Sequence, residues 1–290
     1  MNRIGAIACV LASAAVLATA SSAAQPIPEV TIIGDSVMTG VLWHPQAVAI
    51  MQYELGVHWD VAICRTLVGE SCPFDGERPP TLLDVVQADG SSISPTVIVE
   101  VGYNDPPASF ATEVDESIRA LLAAGVQHIL WVDLHEAQAQ YAAMNDVLAA
   151  AKIRYPQVTV VDWNGYAQSN YSWFQSDGVH LTTAGGVALA TLLHAAVMTA
   201  TAPPLVVQAR PLPVGRVGAP YVAQVTVSGG RPPYRWRSAS GALPRGLHLR
   251  PDGRIDGVPR RACLRSVKLS ATDADGISVV EQVRFDVRPP

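Results

Sequence analysis

Five short runs of apolar, mostly β-branched residues recur along the first two-thirds of the chain: Val30–Ile33, Val57–Ile63, Thr96–Val101, Ile129–Leu134 and Val158–Val161. Runs that are mostly apolar at successive positions, not only at alternate ones, predict strands covered on both faces, as in a parallel sheet. Between and after them, apolar residues return at helical spacing over Ala47–Leu55, Thr81–Gln87, Ala111–Ala124, Ala137–Ile153 and Thr183–Thr199. Strands alternating with helices through right-handed crossovers predict a three-layer α/β/α sandwich.

Beyond residue 200 the helical spacing stops. Apolar runs at Tyr221–Val227, Leu247–Leu249, Ser266–Ser270 and Val279–Val287 are divided by Gly-Gly, Pro-Pro, Pro-Asp-Gly and Asp-Ala-Asp-Gly turns. That pattern predicts a small β-sandwich. Charge changes at the same place: residues 25–200 carry a net −14 and residues 201–290 a net +8. With the Pro-bearing junction Thr201–Pro204, this predicts two domains, 25–202 and 203–290. Two uses of the basic charge stay open. It could hold the chain near anionic polymers, with Arg235, Trp236 and Arg237 in a glycan surface, or dock a spacer on the acidic domain.

Residues 1–24 stand apart. Arg3 precedes a nearly continuous apolar stretch from Ile4 to Ala20, and Ser22 and Ala24 occupy the −3 and −1 positions before Gln25. These are the three parts of a secretory signal. No later segment reaches the ~20 apolar residues of a membrane span, so an exported protein, secreted, periplasmic or on a bacterial cell surface and without stable membrane insertion, is expected. Hydrophobic residues at 49% exclude a disordered chain. Four cysteines are too few for a disulfide-built scaffold and lack zinc-knuckle spacing. Cys64 and Cys72 are expected to form a disulfide in an oxidising compartment, with two buried thiols as the alternative. Cys263 has no evident partner.

Three motifs carry candidate chemistry. Gly34-Asp35-Ser36 follows the first strand, Gly102-Tyr103-Asn104-Asp105 follows the third, and Asp177-Gly178-Val179-His180 precedes the last helix. Strand ends on one edge of a parallel sheet are where such folds bind ligands. A serine hydroxyl needs an adjacent base to become a nucleophile, and a histidine base needs a carboxylate to fix its tautomer. Ser36, His180 and Asp177 supply these three groups. The Ser36 N–H, the Asn104 amide and a glycine N–H could stabilise an oxyanion.

In this order and after these strands, the motifs over about residues 28–200 resemble the SGNH (GDSL-type) hydrolase family. The resemblance implies a flavodoxin-like sheet, Ser36 as nucleophile, Asn104 as oxyanion-hole asparagine, and Asp177 and His180 as acid and base. Gly69, in Cys64-Arg-Thr-Leu-Val-Gly69, is the best match to the family's second-block glycine. Asn145, Val161-Asp-Trp163 and Trp173-Phe174 resemble a branch of bacterial O-acetyl esterases and O-acetyltransferases of glycans, from which Gly102-Tyr-Asn-Asp departs. The turns of residues 205–290 resemble the Ig-like (cadherin-like) repeat of bacterial surface proteins and secreted hydrolases.

Other enzymatic readings fail on residues. Met38 stands where GxSxG needs glycine, and His135-Glu136 lacks the second histidine of HExxH. No phosphate-binding glycine motif follows a strand and no Asp/Glu cluster has calcium-ligand spacing, so no cofactor, no metal and no nucleic acid is expected. The expectation is a monomeric, exported serine esterase acting on short-chain esters through an acyl-enzyme, with cell-wall or surface glycan as a candidate substrate. Acyl transfer to a sugar hydroxyl at the same site, and a non-catalytic glycan-binding protein, are the alternatives.

Overall fold

The computed structural model describes residues 27–208 and 211–290; the expected signal segment lies outside the described residues. The first unit runs β1 (Glu29–Gly34), α1 (Ser36–Leu42), α2 (Pro45–Met51), β2 (Gly56–Val61), α3 (Leu82–Asp89), β3 (Thr96–Glu100) and α4 (Phe110–Ala123). It continues through β4 (His128–Val132), α5 (Ala139–Arg154), β5 (Val158–Val161), α6 (Trp163–Ala167) and α7 (Thr183–Ala200). The five strands pair only in parallel, in the order β2-β1-β3-β4-β5.

The β-branched runs form these strands because both sheet faces are covered. α1 and α2 pack with α7 on one side, while α3, α4 and α5 follow one another on the other. Val30, Ile32, Val97, Ile98, Val99, Ile129 and Leu130 are buried between these layers. The three-layer sandwich expected from the strand–helix alternation is what the chain forms. α7 is more apolar than the sequence reading allowed: its 18 residues are by length and composition enough to cross a membrane. In the fold it is a core helix, with Leu189, Leu193 and Val197 fully buried.

Two helices were not anticipated. α1 begins at Ser36 itself, although its sequence SVMTGVL is rich in weak helix formers. The Asp35 side chain caps it, and Val37, Met38 and Val41 are buried, so tertiary packing overrides propensity. α6 is capped in the same way by Asp162.

The second unit comprises β6 (Val206–Gln208), β7 (Gly215–Arg216), β8 (Tyr221–Gln224), β9 (Thr226–Ser228) and β10 (Arg235–Ser240). It ends with β11 (Leu247–Leu249), β12 (Arg254–Gly257), β13 (Cys263–Thr272) and β14 (Ser278–Arg288). Its main sheets are β10-β13-β14-β7 and β11-β12-β8. They enclose a core of its own around Trp236, Leu247, Ile255, Val267, Leu269 and Phe285. Trp236 is therefore a core residue of β10 and is not offered on a glycan surface.

Candidate active site

The Ser36 side chain is aimed by a turn with no spare room. Gly34 pairs with Val61 on one side and Glu100 on the other, which aligns the ends of β2, β1 and β3. A Cβ on Gly34 would lie 2.5 Å from the Met38 Cβ, so only glycine lets α1 start this close to β1. Asp35 then binds in two directions: its N–H donates to the Glu100 carbonyl at 2.9 Å, and its Oδ1 accepts from the Val37 N–H at 2.9 Å. Ser36 is the first helical residue, so its N–H has no intrahelical acceptor and is free for a ligand.

The Asp177–His180 turn reaches the same edge. Asp177 Oδ1 accepts the N–H groups of Val179 at 2.9 Å and His180 at 3.0 Å, which leaves Oδ2 for the imidazole. His180 Nδ1 lies 2.7 Å from that oxygen, and His180 Nε2 lies 3.0 Å from Ser36 Oγ. With Nδ1–H donating to the carboxylate, the lone pair on Nε2 faces the serine hydroxyl. Burial acts to raise the Asp177 carboxyl, but hydrogen bonds from the His180 ring and the two N–H groups outweigh it and hold it below the ordinary value.

The turn is held by neighbours of which the sequence had marked Trp173, Phe174 and Asn145 but not Gln175, His135 or Gly185 in this role. The Gln175 N–H donates to the His180 carbonyl at 2.7 Å. His135 Nδ1 lies 2.8 Å from the Gly178 carbonyl, and the His135 ring stacks on Phe174 at 3.9 Å. At Gly185 a Cβ would collide with the Trp173 carbonyl, so a glycine is what lets α7 press against the turn. Asn145 fastens the neighbouring loop by exchanging two hydrogen bonds with the Leu134 backbone, each 2.8 Å.

Asn104 sits in the turn after β3. Its Nδ2 donates to the Arg65 carbonyl at 3.1 Å and lies 3.4 Å from Asp35 Oδ2. Arg65 is buried, bonded to Asp60 Oδ1 at 2.6 Å and to the carbonyls of Asp60 and Pro80. The Cys64–Cys72 disulfide closes this loop. Its left-handed position is Cys64, at φ 72°, a conformation that a sequence reader assigns to glycine. Gly69 stands farther along: a Cβ there would lie 3.4 Å from Glu113 Oε1, and its carbonyl accepts from the Thr66 hydroxyl. The fold thus gathers Ser36, Asn104, Asp177 and His180 and sets Gly69 beside Glu113.

Burial pushes Asp35 up to about 6, against the opposing pull of the Val37 N–H, Glu100 and His180. It drives Glu100 and Tyr103 well above their ordinary values, with the Asp35 charge adding to both. The Tyr103 oxygen accepts the His135 N–H at 2.6 Å. A groove of about 480 Å³, lined in part by His135, Glu136, Asn164 and Tyr171, opens beside Asp177. Among the described residues no group of His, Cys, Asp or Glu side chains could hold a metal ion.

The fold and site define a class: a parallel α/β/α unit with a hydrogen-bonded serine, histidine and aspartate at one sheet edge, followed by an all-β unit. Residues 203–288 match the family model described as "Putative Ig domain", as the turn pattern implied. No curated protein matches the chain in sequence. Among solved structures, a carbohydrate acetylesterase family member from Sinorhizobium meliloti is 14% identical with a TM-score of 0.47, over 60% of this chain and 98% of its own. TesA is 17% identical with a TM-score of 0.44, over 59% of this chain and 97% of its own. A "putative alpha-galactosidase" from Bacteroides fragilis NCTC 9343 is 25% identical with a TM-score of 0.26, over 29% of this chain. The chain spans 17% of that protein's length.

Proposed function

We propose that this protein is an exported serine esterase of the SGNH type that hydrolyses short-chain carboxylic esters through an acyl-enzyme. The observation that carries the reading is the unbroken chain Ser36 Oγ–His180–Asp177, with bonds of 3.0 and 2.7 Å. Ser36 Oγ attacks the ester carbonyl as His180 takes its proton. Asp177 keeps the imidazole in the right tautomer and stabilises its charged form. The Ser36 N–H donates to the oxyanion, the Asn104 amide turns one N–H to it from Asp35 Oδ2, and Gly69 is the candidate for a third donor. His180 then returns the proton to the departing alcohol, and water releases the acid by the reverse sequence.

The side chains of His180 and Asp177 are 42% and 47% exposed, so bulk water has access to the acyl-enzyme. The disulfide and the Ig-like unit accord with an oxidising location outside the cytoplasm. A glycan ester is a natural substrate to try. Turnover of p-nitrophenyl acetate, lost in Ser36→Ala and unchanged in product identity by added oligosaccharide, tests the reading. Stoichiometric appearance of an acetylated sugar would replace hydrolysis by transfer.

A further inference from the structure

The segment that carries Asn104 is fastened at both ends by a carboxyl group packed on another carboxyl group. At one end Glu100, 2% exposed, is within hydrogen-bonding reach of the fully buried Asp35. At the other, Asp105, 4% exposed, is within reach of Glu113 in α4, 8% exposed. Arg65, the buried cation of this region, already spends its guanidinium on Asp60 and Pro80.

An ionised carboxylate can only accept hydrogen bonds. Yet Glu100 Oε2, Asp105 Oδ2 and Glu113 Oε2 are buried and find no donor among the described residues. Two such anions in contact, both stripped of water, repel; one proton between them turns repulsion into a hydrogen bond. We infer that Glu100 and Asp105 are positioning residues held as neutral acids, Glu100 donating to Asp35 and Asp105 to Glu113, and that these two bonds clamp the turn presenting Asn104.

The other contacts select the donors. Asp35 already receives the Val37 N–H and lies beside the Asn104 amide, so it is the better-served anion, and the empty Glu100 Oε2 carries the proton. Glu113 stands in the first turn of α4, where the helix end favours negative charge. Asp105 Oδ1 accepts the Leu67 N–H at 2.8 Å, which ties the same clamp to the disulfide loop, and Oδ2 bears the proton. Burial, with the nearby Glu113 charge, pushes Asp105 up to about 8, and burial, with the Asp35 charge, holds Glu100 well above its ordinary value. The other titratable groups facing the two pairs are His180, Tyr103 and Tyr141 toward Asp35, with Asp133 behind Tyr103.

The inference rests on the proposed role of Asn104, so the test includes a readout independent of catalysis. Infrared difference spectra of the full chain at pH 7 should contain protonated-carboxyl absorption that weakens in both Glu100→Gln and Asp105→Asn. With p-nitrophenyl acetate, the wild type should lose kcat as pH rises through about 8, whereas Asp105→Asn keeps a flat alkaline profile. The amide variants retain a donor and should keep kcat at pH 7 within about threefold, whereas Glu100→Met and Asp105→Leu should lose about tenfold or more in kcat with little change in KM. Unchanged infrared absorption in both amide variants, or the same alkaline limb in Asp105→Asn, would overturn the inference. If the apolar variants fail to fold, the amide variants still decide it. An inactive wild type would remove the esterase reading and leave the infrared test of the two protons standing.

Discussion

His180 Nε2 lies 3.0 Å from Ser36 Oγ although 144 residues separate them. Two independent turns create this bond: the tight step from β1 into α1 aims the hydroxyl, and the Asp177 cage aims the ring. Ser36→Ala deletes the nucleophile at a half-buried position that loses only one oxygen. It should lower kcat by about 10³-fold or more, abolish labelling by a fluorophosphonate, and leave the thermal melt in place. Labelling that persists in this variant would reject Ser36.

Asp177 spends one oxygen on two backbone N–H groups and the other on the imidazole. Asp177→Asn preserves the shape but puts an amide where the ring N–H needs an acceptor, which favours the wrong tautomer. The expected loss in kcat is about 10²- to 10⁴-fold with KM nearly constant. Steady-state kinetics on a small ester checks it, and a variant within a few-fold of wild type would show that His180 needs no carboxylate.

Most of the sheet was legible in the sequence, because β-branched runs buried on both faces have no other comfortable state. The convergence of Ser36, Asn104, Asp177 and His180 was legible as well, since each ends a strand or opens a turn. The rest depends on packing that one-dimensional patterns do not encode. α1 is held by an Asp35 cap and burial in place of propensity. β10 exposes five of its six residues and buries only Trp236, so its sequence Arg-Trp-Arg-Ser-Ala-Ser shows no strand run. Cys64, disulfide-bonded and at positive φ, takes a conformation that no search for glycine finds. Nothing in the sequence says that Glu100, Asp105 and Glu113 are buried, because acidic residues are ordinarily outside.

The Cys64–Cys72 bond closes a short loop whose Arg65 carbonyl receives the Asn104 amide. Cys64→Ser with Cys72→Ser should lower stability by about 2–3 kcal/mol in the chain-entropy account. Because the loop also meets Asp105 through Leu67, kcat should fall with stability. Urea denaturation alongside kinetics checks both, and a reduced wild type should behave as the double variant does.

The core of the Ig-like unit is its own, centred on Phe285 and Trp236. Phe285→Ala removes a buried ring and should destabilise that unit by about 3–5 kcal/mol. Since the serine, histidine and aspartate all belong to the other core, esterase turnover at a temperature below the first melt should be unchanged. Calorimetry and activity on the same sample check this; parallel loss of activity would mean that the two units fold as one.

The buried acids set the sign of the pH dependence of stability. Asp105 rises from 3.8 to about 8 on folding, through burial and the neighbouring Glu113 charge. Between those values the folded chain holds a proton that the unfolded chain has lost, so stability falls as pH rises across the window and levels off above about 8. This is opposite to Asp177, whose lowered value gives stability that is present above its unfolded value and is lost on acidification. Asp105→Asn carries no proton to lose, so its melting temperature should gain on the wild type steadily from pH 5 to pH 8. Thermal melts at fixed ionic strength measure the difference, and a constant offset between the two curves would mean that Asp105 is ionised in the folded chain.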